Sequence, residues 1–308
     1  TLTPLTRRKE YGSNLYLTPE KARALSEAEA KLLAERNSTS DPNRTAPPAG
    51  GDGSPGAAGN VGGYNSFWID RGTEALSVDG KFRTSIIVSP ENGQFPKMTA
   101  TAQAARAKLL AGFGRKNEGV AWWGEAPGPY DNMEQRNSAE RCLMSFSGAV
   151  PSFPSLYNNF KRIIQTEDHV MILLEMVHDA RVIRIDAKHG PDTNRKWLGD
   201  AIGWWEGDTL VVETINFKQR TGLYGGDENL HLIERFSRLD DGNLLYNFTV
   251  TDPTIWSGPW SGEFVWKASV DKVYEYACHE GNYAMGNILR GARILEAEYD
   301  GPRAGAGE

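Results

Sequence analysis

A chain of 308 residues with 39% hydrophobic content and 9 tryptophans carries enough apolar surface for one large globular unit or two small ones. Its formal charge of -6, with acids and bases interspersed, leaves no basic stripe of the kind a phosphate backbone requires, so nucleic acid is not an expected partner. Nor is a membrane, because no run approaches the roughly 18 consecutive apolar residues of a spanning helix.

The chain opens at Thr1 with no charged-then-apolar leader in view, which fits either an exported protein whose leader has been removed or a trimmed chain. "LTPEKARALSEAEAKLLAERN" sets Thr18 and Pro19 ahead of good helix formers and predicts a helix from about Pro19 to Glu35. "APPAGGDGSPGAAGNVGG", residues 46 to 63, has nothing to bury and reads as a linker or surface loop. Residues 1–63 are therefore read as a helical arm and linker, and residues 64–308 as a single β-barrel-like domain with loop cover.

"RTSIIVSPENGQFP" predicts a strand at Thr84 to Val88, and "TATAQAARAKLLAGFG" a short helix ended by Gly. The Pro, Gly and Asn density from Ala121 to Phe160 argues for long ordered loops. Past residue 160 the β-rich runs "HVMILLEMV", "ARVIRID", "TLVVETINF", "LHLIERFSRL", "LLYNFTV", "GEFVWKA" and "VYEYAC" follow one another across tight turn signals such as "WEGDT" and "DDGN". The expected fold is mainly β: an antiparallel meander closing into a barrel or strongly curved sheet, with N-terminal helices and long loops packed over it. "HVMILLEMV" is apolar at both parities and should be covered on both faces.

Three strand acids interrupt apolar runs: Glu175, Glu213 and Glu234. Each needs hydrogen bonds or a cation, so they form either Glu/Arg pairs, with Arg181, Arg184 or Arg235, or a polar cluster suited to acid/base or metal chemistry. The nine residues "EYACHEGNY" gather two acids, a histidine, a cysteine and two tyrosines. If "VYEYAC" is a strand, His279 and Glu280 stand at its exit, as His178 and Asp179 stand at the exit of "HVMILLEMV", and two such exits can share a barrel mouth. His279 then becomes a general base oriented by Glu280 or Asp179, or else a strand-end cap. A metal held by His178, His279 and Glu175 is a further possibility without short-range spacing to support it. His189, in the loop "DAKHGPDTN", has no acid beside it in sequence and is not expected to matter.

Loop and strand-end aromatics, among them Tyr64, Tyr157, Trp204 and Tyr283, either cover the core or form a platform for an aromatic or sugar-like molecule. Asp70 and Arg71 follow aromatics in "FWIDRGT" and are either substrate contacts or a loop-fixing pair. No G-x-S-x-G elbow, S-x-x-K or dinucleotide fingerprint is present. The two cysteines, Cys142 and Cys278, match no metal spacing and are either a long-range disulfide or two buried thiols.

Together "YNSFWIDRGT", "RTSIIVSPENGQFP", "RCL", "WLGD", "WEGDTLVVETINF", "NLHLIERF" and "YACHEGNYAMGNIL" resemble a large family of exported bacterial proteins, over roughly residues 61 to 294 and the opening "TLTPLTR". The resemblance implies a periplasmic or secreted protein and favours the Cys142–Cys278 disulfide. It transfers no reaction, and the "DAKHGPDTN" loop departs from the family wording.

The function expected from these readings is acid/base chemistry without an organic cofactor, a lyase, isomerase or hydrolase step on a small aromatic or glycosidic molecule. His279, Glu280, His178, Asp179 and Glu175 are its catalytic candidates, and Tyr64, Asp70, Arg71, Tyr157, Tyr283 and Trp204 its substrate contacts. A lipocalin-like carrier without catalysis and a metal-dependent hydrolase are the alternatives.

Overall fold

The computed structural model describes residues 1–36, 43, 45, 69–114, 130–145, 150–218, 226–239 and 242–299. The linker expected at 46–63, together with Tyr64, lies outside them. Among the described residues three α-helices stand at α1 (Pro19–Arg36), α2 (Ala100–Gly114) and α3 (Tyr283–Glu298). The Thr18 hydroxyl accepts from the Lys21 amide at the start of α1, and Pro19 loses nothing by lacking an N–H in the first turn.

Short strands β1 (Ser77–Val78) and β2 (Lys81–Phe82) form a hairpin. The remaining strands are β3 (Ile87–Ser89), β4 (Lys161–Gln165), β5 (His169–Leu174), β6 (Ala180–Ile185), β7 (Asp200–Glu206), β8 (Thr209–Ile215), β9 (His231–Arg238), β10 (Leu244–Thr251) and β11 (Trp260–Trp266). They build one nine-stranded sheet in the order β3-β11-β10-β9-β8-β7-β6-β5-β4. The protein is mainly β, as its alternating runs predict. The sheet is mixed, however: β6 and β7 pair in parallel, with Ile183 opposite Ala201. The intervening loop 186–199 is long enough for the crossover that a parallel pair needs, whereas a tight hairpin would have reversed the chain.

Besides the β1–β2 hairpin, two strands of the large sheet, β4 and β7, are additions to the expected set, and one expected strand is absent. In "DAIGWWE" small Ala201 and Gly203 face inward, so β7 lacks the β-branched pattern that marks its neighbours. "VYEYAC" alternates as a strand should, yet residues 273–278 pair with no strand. Side chains bind their backbone instead: Glu175 Oε1 accepts from the Tyr274 amide at 3.1 Å, and His178 Nε2 lies 3.2 Å from the Tyr276 amide. "HEGNY" is consequently no strand exit but the turn into α3, which Asn282 caps by accepting from the Met285 amide.

One face of the sheet carries the core. Val170, Ile172 and Leu174 of β5, Leu232 and Phe236 of β9, Tyr246, Phe248 and Val250 of β10 and Trp260 and Phe264 of β11 belong to a single buried cluster. Their cover comes from loops and from the β1 hairpin: Leu76, Ile86, Val150 and Phe153, with Val78 of β1, join that cluster, whereas α1 packs through Ala22 on a separate patch with Leu17 and Ala75. The alternate residues of β5, His169, Met171 and Leu173, are half-buried, so the cover expected on its second face is partial. Gly262 fits because a Cβ there would overlap the Phe248 ring. No helix among the described residues is long and apolar enough to cross a membrane.

An ion pair sits inside the apolar face. Arg181 of β6 donates to Glu234 of β9 at 2.9 Å, and the Tyr246 hydroxyl donates to the same carboxylate at 2.7 Å. Glu234 is fully buried and Arg181 nearly so. Of the pairings weighed for the strand acids, Glu234 takes Arg181, while Glu175 and Glu213 have other partners.

Candidate functional site

The expected catalytic residues divide into two groups. Glu175, His178 and Asp179 meet at the turn between β5 and β6, where positive φ angles of 62° at Val177 and 52° at His178 bend the chain sharply. All three hold neighbouring backbone. Glu175 and His178 bind the 274–276 segment, and Asp179 Oδ2 accepts from the Ser145 amide at 2.9 Å. Burial pushes the Asp179 carboxyl up to about 6, against the opposing pull of the Ser145 amide and hydroxyl.

His279, Glu280 and Tyr283 are exposed at the turn and first residue of α3, with Tyr283 at 78%. Among the described residues no hydrogen bond reaches the His279 ring. The Cys142–Cys278 disulfide is formed, with Cα atoms 5.8 Å apart, and ties the 139–142 turn to the segment leading into α3. A groove of about 530 Å³ opens beside it, lined by Glu140, Glu275, Tyr276, Met285 and Ile288 among others. Neither His279 nor Glu280 lines this groove.

The expected substrate contacts are dispersed. Asp70 fixes its own loop: its amide donates to the Leu156 carbonyl at 2.6 Å, and its carboxylate accepts from the Gly72 amide at 2.8 Å and from Asn159 at 3.3 Å. Arg71 is exposed beside it, and half-buried Tyr157 lies in the loop that Asp70 grips. Trp204, on β7, donates its indole N–H to Glu206 at 3.0 Å.

A different constellation forms where β7 begins, β8 ends and β9 begins. His231 Nε2 lies 2.7 Å from Glu213 Oε1, and Glu213 Oε2 lies 3.2 Å from His189 Nε2. The other nitrogen of His189 lies 3.2 Å from Asp200 Oδ2. Asp200 further accepts from the Gly190 amide at 2.9 Å, Arg184 at 2.9 Å and Lys196 at 3.0 Å. The 186–199 loop is pinned in place for this by Asn216, whose side chain donates to the Gly190 carbonyl and whose own carbonyl accepts from the Lys196 amide.

This chain of polar side chains runs from inside to outside: side-chain exposure rises from 6% at Asp200 through 17% at His189 and 29% at Glu213 to 42% at His231. Burial pushes the Asp200 carboxyl up, but the Gly190 amide, Lys196 and His189 outweigh it and hold the group at about 2. Glu213 is likewise lifted by burial and pulled below its ordinary value by His231 and His189 together. His189 can donate to both carboxylates at once only with a proton on each nitrogen. His231 meets one carboxylate only, through Nε2, so in its neutral form an ionised Glu213 takes the Nε2 proton and Nδ1 is the bare nitrogen. The sequence reading reached Glu213 but set His189 aside for want of an adjacent acid, and the two acids that flank it come from strands 11 and 24 positions away.

Among the described residues no group of three or more His, Cys, Asp or Glu side chains is placed to hold a metal ion. No protein-family model matches the chain, and no curated protein sequence matches it.

Proposed function

We propose that this is an exported acid/base enzyme acting on a small aromatic or glycosidic molecule at the open end of a rolled β-sheet, with His231 as the proton acceptor and Glu213 orienting it. The observation that carries the reading is the 2.7 Å contact between a well-exposed imidazole and a carboxylate held ionised by two histidines. In that arrangement Nε2–H donates to Glu213, Nδ1 takes a proton from the substrate or from water, and the resulting imidazolium is stabilised by the carboxylate beside it. Lyase, isomerase and hydrolase steps each include such a proton transfer and its return. His189 and Asp200 anchor Glu213 from behind.

Rolling of the sheet is supported by Lys161 of β4, whose ammonium lies 5.0 Å from the centre of the Trp266 ring on β11. Those strands are seven steps apart in the hydrogen-bonded order. At about 4.8 Å per step, a flat sheet would hold them roughly 34 Å apart. The contact joins the first residue of one strand to the last of the other, in keeping with the stagger of tilted strands in a closed or nearly closed sheet. Export is supported by the disulfide, which persists in oxidising compartments.

The test is a turnover screen of wild-type protein and Glu213→Gln against aryl esters, aryl glycosides and aromatic β-elimination substrates. The reading expects at least one substrate to be turned over and the variant to lose about 100-fold. A substrate turned over equally well by the variant removes the His231–Glu213 pair from the chemistry.

A further inference from the structure

Lys161 presents an ammonium without a carboxylate partner among the described residues. It pairs directly with Leu174, a core residue, so its side chain shares the inner face of the sheet. Nζ donates to the Asn159 carbonyl at 3.0 Å and lies over the Trp266 ring, and among the described residues no carboxylate bonds it. Burial alone pulls this group down to about 8, so at neutral pH it still carries its charge. Two N–H donors remain beyond the one that Asn159 receives.

The ring below it has a matching deficit. Trp266 Nε1 is buried and has no hydrogen-bond acceptor among the described residues. A buried donor left unpaired is costly, so a site with several of them favours whatever brings an acceptor. The surroundings are aromatic: Trp266 stacks on Tyr246 at 4.9 Å and meets the Phe236 edge at 5.4 Å. Lys161 and Trp266 are both half-buried as residues, while the ammonium itself is withdrawn from water.

We infer that Lys161 and Trp266 form a binding site for a small aromatic carboxylate where β4 meets β11. The chemistry fits term by term. A carboxylate has the lone pairs to accept from both Nζ and Nε1, and its single charge balances one ammonium, whereas a phosphate dianion brings one charge too many into apolar surroundings. An aromatic body adds ring contacts with the cluster beside Trp266. This inference goes beyond the acid/base reading and does not depend on His231.

The probe is naphthalene-2-carboxylate, with 2-naphthalenemethanol as its neutral twin, titrated calorimetrically at neutral pH. Wild-type protein should bind the carboxylate saturably and at least about tenfold more tightly than the alcohol, the scale of one charge-assisted hydrogen bond. Lys161→Met should remove that preference while leaving alcohol binding unchanged, and Trp266→Phe, which keeps a ring but loses the N–H, should weaken the carboxylate by about threefold to tenfold. Absence of saturable carboxylate binding, equal affinity for acid and alcohol in the wild-type protein, or a folded Lys161→Met that keeps the preference overturns the assignment. If Lys161→Met does not fold, the wild-type ratio decides the matter by itself.

Discussion

Lys161 and Trp266 touch although six strands lie between theirs in the sheet. A ring with an ammonium resting 5.0 Å from its centre is a local contact, but its cause is global. The rolling proposed for the sheet accounts for β4 coming within reach of β11. Spin labels at Arg162→Cys and Lys267→Cys should therefore report a distance clearly shorter than the roughly 34 Å of a flat sheet. The native cysteines are already paired and do not compete for the label. A separation at or beyond the flat-sheet value returns the sheet to an open form.

The Arg181–Glu234 pair makes a second, energetic prediction. Both groups are withdrawn from water, and Tyr246 completes the carboxylate's hydrogen bonds. Replacing one partner strands the other, so Glu234→Gln or Arg181→Met should cost about 3–5 kcal/mol in denaturant unfolding. The double replacement Arg181→Met with Glu234→Leu should recover much of that loss. Single variants within about 1 kcal/mol of wild type are incompatible with a tight buried pair.

Asp179 gives stability a pH dependence of defined sign. Its carboxyl is raised to about 6 in the folded protein, so between about pH 4 and pH 6 the native state holds a proton that the unfolded chain has lost. Stability from this group accordingly falls as pH rises through that window. Asp179→Asn has no proton to lose and keeps an acceptor for the Ser145 amide. It should gain on wild type by on the order of 1–3 kcal/mol between pH 4 and pH 7, measured by parallel thermal melts. A constant difference across that range contradicts the assignment.

Reduction of Cys142–Cys278 opens a closure of 136 positions. In the chain-entropy model a loop of that size is worth up to about 4–5 kcal/mol, so reducing agent should lower the thermal midpoint markedly. An unchanged midpoint in fully reduced protein shows that the body of the fold does not depend on the staple.

The hairpins of the sheet were legible in the sequence because local chemistry marks them: Gly207 in "WEGDT" and Gly242 in "DDGN" both adopt positive φ where the turns require it. "VYEYAC" shows the limit of alternation, since its backbone bonds are taken by Glu175 and His178 from almost 100 positions away. α3 carried a signal that the reading passed over, an Asn ahead of an Ala-, Leu- and Arg-containing run. The His231–Glu213–His189–Asp200 chain had no local mark at all. Its members converge only because β7, β8 and β9 share an end and the 186–199 loop folds back over them. The parity of Glu213 and a histidine opening the next strand were the two available clues.

The central claim is that the working histidine is His231 and not the histidine of "EYACHEGNY". Turnover per folded molecule of His231→Ala and His279→Ala, measured side by side on a substrate found by the screen, tests it most directly. The account predicts a loss of about 100-fold or more for His231→Ala, the usual contribution of a positioned proton acceptor, with His279→Ala near wild type. A large loss in His279→Ala with His231→Ala unaffected contradicts it and moves the chemistry to the turn before α3.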